Sequence, residues 1–247
     1  MHYDTQLFKD KVKAFAIHLV ISLIVVLSVY MFIHLLWYPS PLFKATDAGR
    51  IFIIILIVDL ILGPLLTFVV YKKNKKTLRM DLTIIVLIQL IALGYGLYSV
   101  YQARPVWIAY VVDRFELIRA NDIIENEEQL YILPKFGPEY IYVDLAELNA
   151  SEKLDSILDE TTYNISPAQR PKFYNEFGLA KPLIIEKSQD LTLLNDYNNP
   201  IEVKDILQRF PKADSFLPLK ANAVDMTVLI DRKNNGKVVA VVDLRPW

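Results

Sequence analysis

Residues 51–71 read IFIIILIVDLILGPLLTFVVY, and this stretch decides the fold. It is almost wholly apolar and about twenty residues long, enough for a helix to cross a bilayer. One carboxylate, Asp59, and the pair Gly63-Pro64 interrupt it. At a helical period of roughly 3.6, Asp59, Gly63 and Thr67 fall on one stripe while isoleucine and leucine fill the others. An ionised carboxylate near the bilayer centre costs several kcal/mol against lipid, so this stripe must face protein. Pro64 leaves an upstream carbonyl without its amide partner, which Thr67 or a neighbouring helix can satisfy. Two readings of Asp59 stand side by side: a polar joint to the chain's other helices, or a contact for an outside partner.

Two further apolar runs flank this one. Lys9, Lys11 and Lys13 precede a run over residues 14–38, which is too long for the core of a secretory signal. It ends in Trp37-Tyr38-Pro39 instead of small residues. It reads as an uncleaved first transmembrane helix with an aromatic anchor at its far end. His18 and Ser22 share one face of it, and His18 reads as a snorkelling or hydrogen-bonded side chain ahead of a proton relay. The third run covers residues 82–101, where Gln89, Ala92 and Gly96 make a small-residue groove with an amide beside it. Gln89 is the expected internal partner of Asp59.

Charge sets the expected orientation. Three lysines precede the first helix and Lys72, Lys73, Lys75, Lys76 and Arg79 lie between the second and third, against Lys44 and Arg50 in the first loop. Positive-inside bias then puts the N-terminus in the cytoplasm and everything after Arg104 on the far side, the periplasm of a Gram-negative cell. The 247 residues are 53% hydrophobic with net charge −1, divided as +5 over residues 1–103 and −6 over 104–247. An acidic outer part argues against nucleic acid as a partner, because phosphate binding needs a clustered basic face. The two regions are residues 1–103, a transmembrane region with helices at about 14–38, 51–71 and 82–101, and residues 104–247, a periplasmic α+β domain with a mostly antiparallel sheet.

Within that domain, VWIAYVVD (106–113) and FELIRA (115–120) read as strands, as do ENEEQLYILP (125–134) and FGPEYIYVDL (136–145) around a Gly137-Pro138 turn. Residues 148–159 suggest a helix. Ser166-Pro167-Ala168-Gln169 is a capping box opening a helix towards Phe177, and Asn199-Pro200 opens another to about Phe210. PLIIEK (182–187) reads as a strand between them. MTVLID and VVAVVDLRPW, joined through Asn235-Gly236, make a hairpin, and the turn lacks the glutamate a calcium loop needs. AYVVD (109–113) and AVVD (240–243) share a texture that neighbouring strands in one sheet would show.

The chemistry available is narrow. The chain has no cysteine, and its three histidines, His2, His18 and His34, all precede residue 40. The outer domain therefore has neither a Ser-His-Asp nor a Cys-His arrangement and no ordinary zinc site. No nucleotide-binding or hydrolase motif is present. Adjacent carboxylates such as Glu127-Glu128 and Asp159-Glu160 read as solvated faces. The expectation is a protein that is not an enzyme, with no catalytic residues, no metal and no cofactor.

A group of motifs carries a resemblance. Asp59, GPLLT (63–67), Asp81-Leu82, Gln89, YGLY (95–98), ARP (103–105), DRFE (113–116) and the terminal DLRPW (243–247) occur in an order that resembles the TfpX/TfpZ family of type IV pilin accessory proteins. That resemblance implies an inner-membrane helper that binds or escorts a cognate major pilin and promotes or adjusts pilus assembly. Its expected partners are the pilin, pilus assembly-platform proteins and the bilayer. The residues expected at an intramembrane contact are Asp59, Gly63, Pro64, Thr67, Gln89, Ala92 and Gly96. Arg104, Pro105, Asp113 and Arg114 are expected at the junction outside the third helix, as an ion-paired scaffold or a pilin contact. Trp247 reads as an anchor closing the sheet or a docking tail. The alternative is a membrane sensor or regulator with a ligand-binding outer domain.

Overall fold

The computed structural model describes residues 2–124, 132–146 and 148–247, and the chain divides into two units. One comprises Met1–Leu36 and Ala48–Gln102; the other comprises Trp37–Asp47 and Ala103–Trp247.

The first unit is helical. α1 (His2–Phe32) runs into a π-helical turn, Ile33–Trp37. The short α2 (Leu42–Ala45) belongs to the second unit. α3 (Ala48–Leu56), a π-helical turn (Ile57–Leu62) and α4 (Gly63–Val70) form one span, and α5 (Leu78–Gln102) another. Three segments, Thr5–Trp37, Ala48–Val70 and Leu78–Gln102, are long and apolar enough to cross a membrane. This is a membrane protein.

The wide turn in the middle span follows from Pro64. Proline has no N–H to offer the carbonyl four residues back. The Gly63 amide instead reaches the Val58 carbonyl five residues back, which is the π pattern. The widened turn carries Asp59, and the span still keeps two faces. Phe52, Ile55, Asp59, Gly63, Pro64 and Thr67 are buried, whereas Ile53, Ile54, Ile57, Ile61, Leu65 and Leu66 are exposed.

The second unit is an α+β fold on one mixed sheet of β1 (Pro105–Val111), β2 (Arg114–Arg119), β3 (Glu139–Val143), β4 (Tyr174–Asn175), β5 (Gln189–Asp190), β6 (Ser215–Lys220), β7 (Met226–Asp231) and β8 (Lys237–Val242). The order is β4-β3-β1-β2-β6-β7-β8, with β5 paired to one end of β6. A mostly antiparallel sheet was the expectation; the β1–β3 and β2–β6 pairings at its centre are parallel. Those strands read as continuous apolar runs because both faces are covered. Ile108, Tyr110, Leu217, Leu219, Val228 and Ile230 pack on one face, while Ala109, Val111 and Ile118 pack on the other. Phe216 and Leu229 join a third cluster with Leu194 and Val203.

Around the sheet lie α6 (Ala150–Tyr163), α7 (Lys181–Lys187) and α8 (Pro200–Leu207). The first-loop residues are part of this unit. Leu42 and Ala45 of α2 belong to its main core, Tyr38 is fully buried, and Lys44 pairs with Asp243 at 2.6 Å. Tyr38 is thus packed in protein, where an anchor at the bilayer surface had been expected.

Other expectations change. PLIIEK forms helix α7, with Pro182 in its first turn and only Ile184 fully buried. The Ser166 capping box is present, but it opens 3-10 turns (Pro167–Gln169 and Pro171–Phe173) followed by β4, because Pro171 interrupts any longer helix. Most of the expected strand at 125–134 lies outside the described residues. AYVVD and AVVD are not neighbours, since β2, β6 and β7 separate β1 from β8.

Candidate intramembrane site

The polar residues of the helical unit meet in one chain of contacts. Asp59 is only 4% exposed. The Gln89 side-chain amide, from α5, donates to Asp59 Oδ1 and to its backbone oxygen, both at 3.4 Å. Gln89 Oε1 lies 2.9 Å from His18 Nε2, and His18 Nδ1 lies 2.6 Å from Thr67 Oγ1. An amide oxygen only accepts, so Nε2 is the donor; in the neutral ring Nδ1 then accepts from the Thr67 hydroxyl. Four side chains from all three spans are joined, and the donor sequence ends on a carboxylate.

Local packing fixes this arrangement. A Cβ on Gly63 would lie 2.1 Å from Gln89 Nε2, so only glycine lets that amide reach Asp59. A Cβ on Gly96 would lie 2.5 Å from Ile55 Cγ1, so the small-residue face of α5 receives α3 of the same chain. Pro64 is buried beside Gly63, and Ala92 is half-buried. Much of the groove expected to admit a second helix is therefore filled from within. What remains is a narrow apolar groove of about 140 Å³ between α3 and α5, whose lining includes Ile55, Val58, Asp59, Ala92, Gly96 and Ser99. The second carboxylate oxygen, Asp59 Oδ2, is buried and has no hydrogen-bond partner among the described residues. His18 is the member that sequence reasoning left outside the site, although its shared face with Ser22 was visible.

The four residues expected at one junction do not form a single cluster. Arg104 and Pro105 stand at the start of β1, and Asp113 and Arg114 lie past its end, about 25 Å of extended chain away. Arg104 is buried and its guanidinium donates to the Pro134 carbonyl at 3.0 and 3.2 Å. Arg114 bonds Glu116 at 2.9 Å and Glu160 of α6 at 2.7 Å, and Lys220 adds a second bond to Glu160 at 3.2 Å. Burial works against the Arg114 charge, but Glu116 and Glu160 outweigh it and raise its pKa above the ordinary arginine value. Asp113 is mostly exposed, 4.0 Å from Arg114.

The C-terminal DLRPW is clamped into the second unit. Leu244 is fully buried, and its carbonyl accepts from Thr227 Oγ1 at 2.9 Å. Asn198 holds both backbone groups of Arg245 at 2.7 and 2.8 Å. Arg245 itself bonds Asp243 and the Asp225 carbonyl, and Trp247 Nε1 donates to Asp225 at 2.9 Å. This geometry is that of an anchor.

Among the described residues no cluster of His, Asp and Glu has the spacing to hold a metal ion.

Comparison with known proteins gives a consistent answer. Residues 6–46 match the family described as Fimbrial assembly protein FimB. The chain is 27% identical over 254 residues to the fimbrial assembly protein of serogroup E1 from Dichelobacter nodosus, covering 97% of this chain and 98% of that protein. It is 29% identical over 259 residues to the serogroup I protein of the same organism, with the same coverage. It is 35% identical over 126 residues to the protein of serogroups C1 and C2, which covers 50% of this chain and 96% of that relative. No solved structure matches the chain. On these relationships, the chain belongs to the fimbrial assembly protein family that includes FimB.

Proposed function

We propose that this protein is an inner-membrane accessory factor of the TfpX/TfpZ kind, which holds a cognate type IV major pilin and promotes its assembly into the pilus. The relatives named for fimbrial assembly align over 97% of the chain, so both units have counterparts in them. In this reading the protein is a non-catalytic helper. Its N-terminus is cytoplasmic and its α+β unit periplasmic, where it meets the pilin head and assembly-platform proteins.

The observation that carries the pilin reading is Asp59 Oδ2, without a hydrogen-bond partner among the described residues, beside the groove of Ala92 and Gly96. A pilin waits in the membrane as a single apolar helix, and a small-residue groove lets a helix approach closely enough to bury a polar group against that oxygen. One such contact is worth only about 1 kcal/mol, so the outer unit must add to the recognition. Helix α6 offers the surface for this: Leu154, Ile157 and Leu158 are exposed on it.

Photo-crosslinkers placed at Ile54 and Leu93, which line the groove, are expected to capture the pilin in living cells. Asp59→Leu should lower that capture while the protein remains inserted, and capture unchanged by Asp59→Leu would leave Asp59 as a purely internal joint. Ile157→Glu is expected to reduce co-purification of the pilin without lowering the melting temperature, since the side chain is 59% exposed and supports no core. Unchanged co-purification would remove α6 from the contact.

A further inference from the structure

A second and larger cleft, of about 470 Å³, lies in the helical unit between α1, the end of α4 and the start of α5. Its residues change character along α1. Asp10 and Lys13 come first, and Ile17 and Ile21 follow, with His18 between them and Thr67 of α4 also in the lining. From Asp10 to Ile21 the helix rises about 16 Å, so the cleft has a charged end and a mainly apolar length, in which His18 and Thr67 are already bonded to each other at 2.6 Å. Lys73 joins the polar end from beyond α4, and Val86 of α5 lines the apolar part.

The lysines here are not equivalent. Lys11 is engaged, donating to the Val69 carbonyl at 3.3 Å with its ammonium 5.5 Å from the centre of the Phe68 ring. Lys13 and Lys73 are exposed, and neither has a protein partner among the described residues. Ile17 and Ile21 are more than half exposed and Val86 nearly so, on spans built to cross a membrane. Two lysines against one carboxylate leave the polar end with a net single positive charge.

We propose that this cleft holds one anionic phospholipid. An acyl chain lies along Ile17, Ile21 and Val86, the phosphate sits between Lys13 and Lys73, and a headgroup hydroxyl donates to Asp10. The charge balance selects a headgroup with one negative charge, such as phosphatidylglycerol, over a zwitterionic one. The cleft shares His18 and Thr67 with the hydrogen-bonded chain that leads to Asp59, but none of the residues that line the Ala92 and Gly96 groove, so the lipid site does not depend on what that groove binds. Basic pockets between transmembrane helices are a recognised way to hold an anionic headgroup, and each lysine near the surface adds about fivefold to the affinity.

The test uses the full-length chain in vesicles of phosphatidylcholine containing a small share of spin-labelled phosphatidylglycerol, phosphatidylethanolamine or phosphatidylcholine. The motionally restricted fraction reports which lipid is held. Phosphatidylglycerol is expected to be preferred, and Lys13→Gln and Lys73→Gln should each lower that preference about fivefold. Lys9→Gln and Lys76→Gln, at the same basic ends but outside the cleft, should leave it unchanged. Ile17→Trp, which fills the apolar part and keeps every charge, should displace the lipid; thermal melting in detergent checks that each variant is folded. Equal losses from the cleft and control lysines would mean diffuse surface charge and overturn the site. Equal retention of phosphatidylethanolamine, or lipid still held by the folded Ile17→Trp variant, would overturn it as well.

Discussion

The buried carboxylate owes its place to a glycine. Gly63 faces Gln89 so closely that a methyl group there would overlap the amide, and the Gln89 side chain is the nearest thing that can give way. Gly63→Ala is therefore expected to swing Gln89 off both Asp59 and His18. At about 0.6 kcal/mol for each intramembrane hydrogen bond, losing the three that Gln89 makes costs about 2 kcal/mol. Unfolding of the helical unit in mixed micelles measures it, with Gln89→Leu as the variant that should match it. A Gly63→Ala protein as stable as the parent, with Gln89→Leu still destabilised, would show that the amide tolerates the methyl. The stripe of Asp59, Gly63 and Thr67 was legible because a 3.6-residue period needs only local sequence, and Gln89 stood out as an amide in an apolar run. His18 was not assigned to the site. Its partners lie 49 and 71 residues away, and nothing local to α1 says which face meets them. The π turn was hidden for a related reason: Pro64 announces a lost hydrogen bond but not how the chain recovers it.

The elements show where local pattern fails. The Asn-Gly hairpin of β7 and β8 formed as its sequence demands, with Asn235 and Gly236 both at positive φ. PLIIEK did not, because a six-residue apolar run has no period of its own to separate a strand from a buried helical turn. Here the surroundings decide. Ile184 is fully buried in the main core, and the Gly236 turn rests against the helix, so a Cβ on Gly236 would meet the Lys181 carbonyl and Ile185 Cγ1 at 3.1 Å. Gly236→Ala combines this contact with a φ of 64° that favours glycine. The cost expected is about 1–2 kcal/mol, read as a lower denaturant midpoint at unchanged slope. An unchanged midpoint would mean that α7 is not held by the turn. The parallel pairings at the sheet centre were likewise invisible, since β1 meets β3 and β2 meets β6 only after long intervening segments. Each strand was recognisable alone; its neighbour was not.

At the scale of the whole chain, the proposed function depends on which side of the membrane each part occupies. The positive charge of residues 1–103 and the negative charge of 104–247 predict a cytoplasmic basic turn and a periplasmic α+β unit. An escort needs that arrangement, because a helper whose folded unit lay in the cytoplasm would never reach the head of a pilin. The natural absence of cysteine makes the matter directly measurable, since a single introduced thiol is the only one present. Lys76→Cys lies in the exposed basic turn and Lys233→Cys in the exposed hairpin turn, and neither side chain supports a core. In intact spheroplasts a membrane-impermeant maleimide should label the thiol at position 233 and leave the one at 76 untouched until the cells are lysed. The reverse pattern would place the α+β unit in the cytoplasm, and a pilin captured by crosslinking could then be touching only the membrane spans. Labelling of both before lysis would mean that the basic turn does not hold the inner side. The charge asymmetry would then have lost its meaning, and with it the reason for calling the α+β unit the part that receives a pilin head.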